Sequence, residues 1–130
     1  MNLFETFDAG IVVIAGKRTD INRLPWHPHK DYKGVFFKHV FTADQADGLG
    51  CNLVRVEPGH ELGAHIHPDS VELHEVLAGS GFCVTEHGET AYLPGIISVI
   101  GRNSSHMIRA GENGLCFSAK FLGKFVTIPV

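Results

Sequence analysis

The chain has 130 residues, of which 44% are hydrophobic and 19% charged, so it can form one domain with its own core and is too apolar to be disordered. Its net charge of −3, with no cluster of basic residues, argues against a nucleic-acid partner. Its apolar stretches are far shorter than the roughly 18 residues of a membrane-spanning helix. Met1–Asp8 carries acids where an export signal would carry bases. We therefore expect a cytoplasmic protein that binds neither nucleic acid nor membrane.

Short runs of β-branched and aromatic residues, separated by glycine and proline turns, follow one another along the chain. They predict ten strands: Ile11–Ala15, Gly34–Phe41, Cys51–Val56, Glu72–Leu77, Gly81–Thr85, Thr90–Leu93, Ile96–Ile100, His106–Arg109, Leu115–Phe121 and Phe125–Val130. Turn signals recur at intervals of roughly 8–12 residues, which favours an all-β, antiparallel sandwich or barrel with minimal helix. Only Arg18–Lys33, with two prolines, is predicted to be irregular.

Three cysteines, Cys51, Cys83 and Cys116, lie in apolar predicted strands. They form no Cys-x-x-Cys pair and are odd in number, which is typical of reduced thiols rather than of a disulfide framework. We expect them to be buried packing residues.

A group of histidines and acids follows the turn at Pro58-Gly59. His65 and His67 are two residues apart on a predicted strand, so both imidazoles are expected on one face. The next residues are typical of a turn, after which the returning strand would bring Glu72 close to His67 across a hairpin. Imidazole and carboxylate groups suit a divalent first-row metal, and no thiolate of the kind used by structural zinc sites lies nearby. The residues therefore predict an open site for catalysis or ligand binding.

The spacing of this segment resembles the first motif of the cupin superfamily. Gly59, His65, His67, Glu72 and Gly79 stand at the five positions of that motif, with the family's intervals between them.

A second segment, from Gly95 to His106, resembles the second cupin motif and places His106 at its histidine. Three positions depart from the motif: Gly101 replaces the usual proline, Asn103 the usual glycine and Ala110 a frequent asparagine. Asparagine tolerates the left-handed backbone conformation better than other non-glycine residues. We therefore expect the turn that presents His106 to survive.

The resemblance covers about Cys51 to Phe121 and implies an antiparallel jelly-roll β-barrel. In similar proteins three histidines and one glutamate hold a metal inside the barrel, so the implied ligands here are His65, His67, Glu72 and His106. The implied cofactor is one divalent ion per chain, whether iron, manganese, nickel, copper or zinc. We interpret residues 1–130 as one cupin domain, with N-terminal strands and an irregular segment in 1–50, the motif core in 51–121 and a C-terminal strand in 122–130.

His74 follows Glu72 by two residues on the same predicted strand and should share the inward face of the ligands. We predict that His74 is the catalytic residue and positions or moves a proton. The alternatives are a fifth metal ligand, a replacement for Glu72, and a supporting hydrogen bond to a ligand carboxylate.

Several other residues allow two interpretations each. His27 and His29 repeat the His-x-His spacing, although the proline between them argues against a strand. They form either a second metal site or, for His29 together with Trp26, a wall of the pocket. Arg55 and Arg109 either pair with an anionic substrate or face solvent. A cysteine thiolate near the metal is the alternative to cysteine packing.

The function predicted from these residues is that of a metal-dependent enzyme acting on a small molecule, of dioxygenase, isomerase or epimerase, or lyase type. The alternative is a non-enzymatic module that binds or senses a small ligand. Small cupins often pair through terminal strands, so the resemblance also implies a homodimer, for which Ile11–Ala15 and Phe125–Val130 are sufficiently apolar.

Overall fold

A computed structural model describes residues 1–123, in which β-strands predominate. A short helix, α1 (Leu3–Asp8), begins with a capping box in which Asn2 and Glu5 exchange hydrogen bonds. Strands β1 (Ile11–Ile14) and β2 (Lys17–Asp20) then pair across a two-residue turn. Both turn residues have positive φ, as the tight hairpin turn requires. A 3-10 helix, Ile21–Arg23, leads from this hairpin to the main sheet.

Eight further strands form one antiparallel sheet in the order β3-β4-β5-β10-β7-β8, with β6 on β10 and β9 on β7. They are β3 (His27–Pro28), β4 (Val35–Phe41), β5 (Leu49–Val56), β6 (Glu61–His65), β7 (Val71–Thr85), β8 (Gly88–Tyr92), β9 (Ile97–Ile100) and β10 (His106–Leu122).

The long strands β7 and β10 take part in both layers of the barrel. The first part of β10 pairs with β6 and with the end of β7, whereas its second part pairs with β5 and with the beginning of β7. The register shifts between Ala110 and Leu115. Gly79 lies opposite this irregularity with φ +78°, and a Cβ added there would lie 2.1 Å from the Gly114 carbonyl oxygen. Only glycine combines that conformation with that close approach, which accounts for the last position of the first motif.

Strand alternation divides the apolar residues into two groups, one on each face of the sheet. The inner group fills the barrel and includes Val54, Val56, Ile108, Leu115 and Phe117. The outer group is Phe4, Ile21, Leu53, Leu77 and Ala78, where α1 and the 3-10 helix cover the sheet. In β5, for example, Val54 and Val56 face the barrel interior and Leu53 faces this outer layer.

The observed architecture confirms the prediction of an all-β, antiparallel jelly-roll barrel with minimal helix. The predicted strands Glu72–Leu77 and Gly81–Thr85 are parts of β7, and His106–Arg109 and Leu115–Phe121 are parts of β10. The predicted strand Phe125–Val130 lies outside the described residues. No helix in residues 1–123 is long and apolar enough to span a membrane.

The prediction of an irregular Arg18–Lys33 segment was wrong in two places. Its first residues belong to β2, and His27–Pro28 forms the edge strand β3 against Phe36 and Phe37 of β4. Proline is tolerated in β3 because an edge strand has one side free of ladder hydrogen bonds.

Candidate metal centre

Four side chains predicted to ligate a metal lie together at one end of the barrel. His65 ends β6, His67 follows in the connection to β7, Glu72 is the second residue of β7, and His106 begins β10. One ligand atom from each residue lies within 4.8 Å of the others, and residues 1–123 contain no other grouping of this kind. The cluster therefore joins residues from three different strands and one connection.

The predicted hairpin between His67 and Glu72 was wrong. Strand β6 pairs with β10, where His65 lies opposite His106, and it makes no ladder with β7. The connection 66–70 instead links two strands that pair with different parts of β10: β6 pairs with its first part, and the beginning of β7 pairs with its second part. His67 still reaches the cluster, with its Nε2 3.7 Å from Oε1 of Glu72.

The loop before His106 supports the cluster in the way the sequence predicted. Asn103 has φ 62°, so it takes the left-handed conformation in place of the usual glycine. Its backbone N–H donates to the carbonyl oxygen of His67 at 3.2 Å. One hydrogen bond thus connects the loop that presents His106 to the connection that carries His67.

Two imidazoles are oriented by backbone carbonyls. Nδ1 of His65 lies 2.8 Å from the Gly63 carbonyl oxygen, and Nδ1 of His106 lies 3.2 Å from that of Ser104. A carbonyl only accepts, so in each neutral ring Nδ1 carries the hydrogen and Nε2 keeps its lone pair. Metal-binding histidines commonly show this arrangement.

Glu72 and His106 present an electrostatic problem that a cation would solve. Oε2 of Glu72 and Nε2 of His106 lie 2.9 Å apart, both residues are almost fully buried, and neither atom has a hydrogen-bond partner among the described residues. A carboxylate oxygen and an imidazole lone pair at this distance are two acceptors facing each other. A metal ion at the cluster would satisfy both, so the residues present fit a divalent cation.

The protonation states at the cluster reflect burial and these neighbours. Burial lowers the pKa of His65 and of His67, which keeps both rings neutral. Burial alone would raise the pKa of Glu72, but His106 and His74 beside it lower that pKa well below its ordinary value. Burial alone would lower the pKa of His106, whereas the Glu72 carboxylate raises it above its ordinary value. The raised pKa of His106 favours a proton on its ring in the metal-free site. A bound metal would displace that proton, because neutral imidazoles and an ionised carboxylate are the states that bind a metal.

His74 lies beside the cluster and outside the group of four. It is 1% exposed, its Nε2 is 3.0 Å from Oε2 of Glu72, and its Nδ1 hydrogen-bonds the Tyr92 hydroxyl at 2.7 Å. Tyr92 is fully buried in β8, and its place beside His74 was not predicted from the sequence. Strand alternation leaves open which face of β8 is interior, and no local pattern connects Tyr92 with His74.

A cavity of about 180 Å³ adjoins the cluster, so a ligand in the cavity can reach the candidate metal site. Its polar wall consists of His29, Asn52, His67, Glu72 and His74. His29 therefore lines the pocket as predicted, whereas Trp26, which was predicted to form the wall with it, does not. His27 and His29 form no group of three ligand-type residues in the described part of the chain.

The remaining candidates lie away from the cluster. Trp26 packs on the outer face of the sheet against Phe4, and the Arg55 guanidinium lies 4.9 Å from the centre of the Trp26 ring. Arg109 is exposed on β10. The three cysteines are free, with Cys51 and Cys83 buried and Cys116 partly buried, and none belongs to the cluster. The packing interpretation of the cysteines is consistent with these positions.

Comparisons with known proteins support the fold. A scan against protein-family models and a search of curated proteins each found no match. Among solved structures, the chain is similar to a predicted oxalate decarboxylase from Thermotoga maritima, with 18% identity, TM-score 0.71, and 78% of this chain and 95% of that one covered.

Two further solved structures are also similar to this chain in fold. A cupin-2 domain protein from Rhodospirillum rubrum is 17% identical, with TM-score 0.70 and coverage of 83% of this chain and 76% of that one. A sugar phosphate isomerase from a cupin superfamily of Silicibacter pomeroyi is 19% identical, with TM-score 0.71 and coverage of 82% and 75%. The chain therefore has the cupin fold, as its first motif predicted. In that fold the cluster of three histidines and one glutamate is a candidate site for a divalent metal.

Proposed function

We propose that this chain is a metal-dependent cupin enzyme that acts on a small molecule, with His65, His67, Glu72 and His106 as ligands of one divalent ion. The observation that carries the proposal is the buried contact between Oε2 of Glu72 and Nε2 of His106, two polar atoms without hydrogen-bond partners in the described chain. Leaving such a pair buried without a cation would cost free energy.

The adjoining cavity together with the buried His74 at its wall favours an enzyme over a non-enzymatic module that binds or senses a small ligand, because only an enzyme needs a positioned acid or base. Four protein ligands leave positions open on a six-coordinate ion, and the cavity lies beside the cluster with a wall that includes His74. A divalent ion bound there would supply Lewis-acid activation of a substrate oxygen. The chain itself would bind the substrate in the cavity, shield it from bulk water and hold a proton near it.

We propose His74 as the residue that holds this proton. The Tyr92 hydroxyl fixes the Nδ1 side of the ring, which directs Nε2 towards Glu72 at the cavity wall. A buried imidazole with one nitrogen hydrogen-bonded and the other 3.0 Å from a carboxylate oxygen is suited to positioning a proton. This role favours isomerisation, epimerisation or lyase chemistry, in which a proton moves on the substrate, over dioxygenation.

The experiment that tests the proposal is elemental analysis of protein purified without a metal-affinity tag. We expect about one divalent ion per chain, lost in His65→Ala and in His106→Ala. His87→Ala is the matched control, because its side chain is 84% exposed and lies outside the cluster. A wild-type protein that binds no metal after reconstitution, or ligand variants that keep full occupancy, would contradict the proposal.

A further inference from the structure

The cavity beside the cluster is small and largely apolar. Its volume of about 180 Å³ is below the roughly 300–1,000 Å³ of pockets that hold drug-sized ligands. The apolar part of its wall comes from both layers of the barrel and consists mainly of Val35, Phe37, Val54, Leu62 and Phe117. A ligand that fills this space is compact and carries an apolar body.

The charge of the loaded cluster limits the charge of that ligand. Glu72 is the only carboxylate in the cluster, and the three ligating imidazoles would be neutral. Two positive charges of the ion and one negative charge of Glu72 leave a net charge of +1. A monoanion neutralises this charge, whereas a dianion leaves a surplus negative charge in a low-dielectric cavity, which is unfavourable unless a cation pairs with it.

No lysine or arginine within residues 1–123 lines the cavity. Strand alternation explains this, because the cations of the neighbouring strands project from the outer face of the sheet. Lys38 pairs with Asp8 there at 2.5 Å, and Lys120 pairs with Glu75. Arg55 stacks on Trp26 on the same outer face.

The loop before His106 also supplies no charge to this wall. Arg102 is exposed and donates a hydrogen bond to the Gly123 carbonyl oxygen. The described cavity therefore has no partner for a phosphate group or a second carboxylate.

Apart from His67, Glu72 and His74, the cavity offers the polar side chains of His29 and Asn52. Nδ1 of His29 accepts a hydrogen bond from the backbone N–H of Asp31 at 3.1 Å, so the neutral ring carries its hydrogen on Nε2. Asn52 is held by His39, whose Nδ1 lies 2.7 Å from Oδ1 of Asn52. Such groups orient a hydroxyl or a carboxylate oxygen without adding charge.

We infer that the cavity selects a compact monocarboxylate with a short apolar body and rejects dicarboxylates and phosphorylated compounds of the same size. The inference rests on the proposed metal site, since it is the net charge of the loaded cluster that sets the preference. The apolar part of the cavity wall sets the second requirement, which is a branched or unbranched hydrocarbon group on the ligand.

The test is isothermal titration of the metal-loaded protein with three 2-hydroxy acids: lactate, 2-hydroxyisovalerate, which adds apolar bulk, and malate, which adds one carboxylate. We expect 2-hydroxyisovalerate to bind more tightly than lactate and malate to bind at least about tenfold more weakly than lactate. Metal content is measured on the same samples before and after titration, so that metal removed by malate is distinguished from weak binding.

A variant pair isolates the effect of charge. Asn52→Lys introduces the missing cation and should reduce or reverse the difference in binding affinity between lactate and malate. Asn52→Gln changes the same side chain without adding charge and should leave this difference in affinity unchanged.

Failure of the proposed function and failure of this inference alone would give different results. Absence of bound metal would overturn the proposed function and this inference together. One bound metal per chain combined with equal or tighter binding of malate, or with no binding of either monocarboxylate, would overturn the inference alone.

Discussion

The Nδ1 atom of His74 lies 2.7 Å from the hydroxyl oxygen of Tyr92, and both side chains are almost completely buried. Through this hydrogen bond Tyr92, on β8, sets the orientation of a ring whose other nitrogen is 3.0 Å from Glu72 on β7. A residue without direct access to the cavity thus positions the group beside a candidate metal ligand.

Replacing this tyrosine should weaken both folding and metal binding. Tyr92→Phe removes the partner of a buried nitrogen, which should lower the free energy of unfolding by about 1–3 kcal/mol. Because Tyr92 acts on the ligand Glu72 only through His74, its loss should lower metal affinity by about tenfold, the lower end of the effect of removing a direct partner of a ligand. Urea denaturation and metal titration measure the two effects. Tyr32→Phe, the same change outside the His74 contact, should leave metal affinity unchanged, and equal affinities for wild type and Tyr92→Phe would contradict the positioning role.

Loading the site should raise thermal stability, because a ligand that binds only the folded state stabilises it. At free metal about 100-fold above Kd the gain is about 2.7 kcal/mol, or a rise in Tm of about 10 °C for a chain of this size. Differential scanning calorimetry with and without a chelator measures the shift. His106→Ala should show almost no metal-dependent shift, and a full shift in that variant would place the metal elsewhere.

The close approach at the bend of β7 gives a prediction that is independent of the metal. Gly79→Ala should lower the free energy of unfolding by at least about 2 kcal/mol, because the new methyl group meets the Gly114 carbonyl oxygen in addition to the strain of positive φ. Gly59→Ala is the control, since Gly59 has φ +72° with nothing within 4 Å of an added Cβ. Similar losses in both variants would show that backbone conformation alone requires the glycine.

Burial of the thiols should make stability fall at alkaline pH. Burial raises the pKa of Cys116 from 9.0 to about 11, so the unfolded chain ionises at a lower pH than the folded one. Stability is therefore retained below pH 9 and lost as the pH rises from 9 towards 11, with a contribution from this thiol on the order of 2 kcal/mol. Urea denaturation between pH 7 and 11 tests this. Cys116→Ala should show a shallower decline, and identical pH profiles would contradict it.

The homodimer expected from the sequence stays a prediction, and exposed apolar residues suggest which surface the two copies would share. Ile11, Val13, Ile97 and Val99 are 46–67% exposed, and the first three border a groove of about 530 Å³ between the β1–β2 hairpin and the main sheet. We propose that a second copy covers this surface, because such an apolar patch is unfavourable in water.

Light scattering coupled to size exclusion at micromolar concentration should give twice the chain mass for wild type. The dimer should be weakened by Ile97→Lys and unaffected by Ile66→Lys, since Ile66 is similarly exposed on the connection beside His67. A wild-type monomer would exclude the proposed dimer at that concentration.

The strand-rich fold, most strand positions and the identity of the clustered residues could all be predicted from the sequence. These follow from local chemistry, because alternating apolar residues and turn glycines act over a few positions. The intervals between Gly59, His65, His67, Glu72 and Gly79 were sufficient to indicate the cupin fold.

Which strands pair and which side chains share a cavity could not be predicted from the sequence and are seen in the tertiary structure. Pairing β6 with β10 rather than β7 depends on contacts distant in sequence, and it placed His67 on a connection instead of a strand. Alternation predicts that a strand has two faces but leaves open which face is interior. For this reason the sequence left Arg55 as a candidate for an anionic substrate although it lies on the outer face, and it did not connect Tyr92 with His74 or Asn52 with the candidate metal centre.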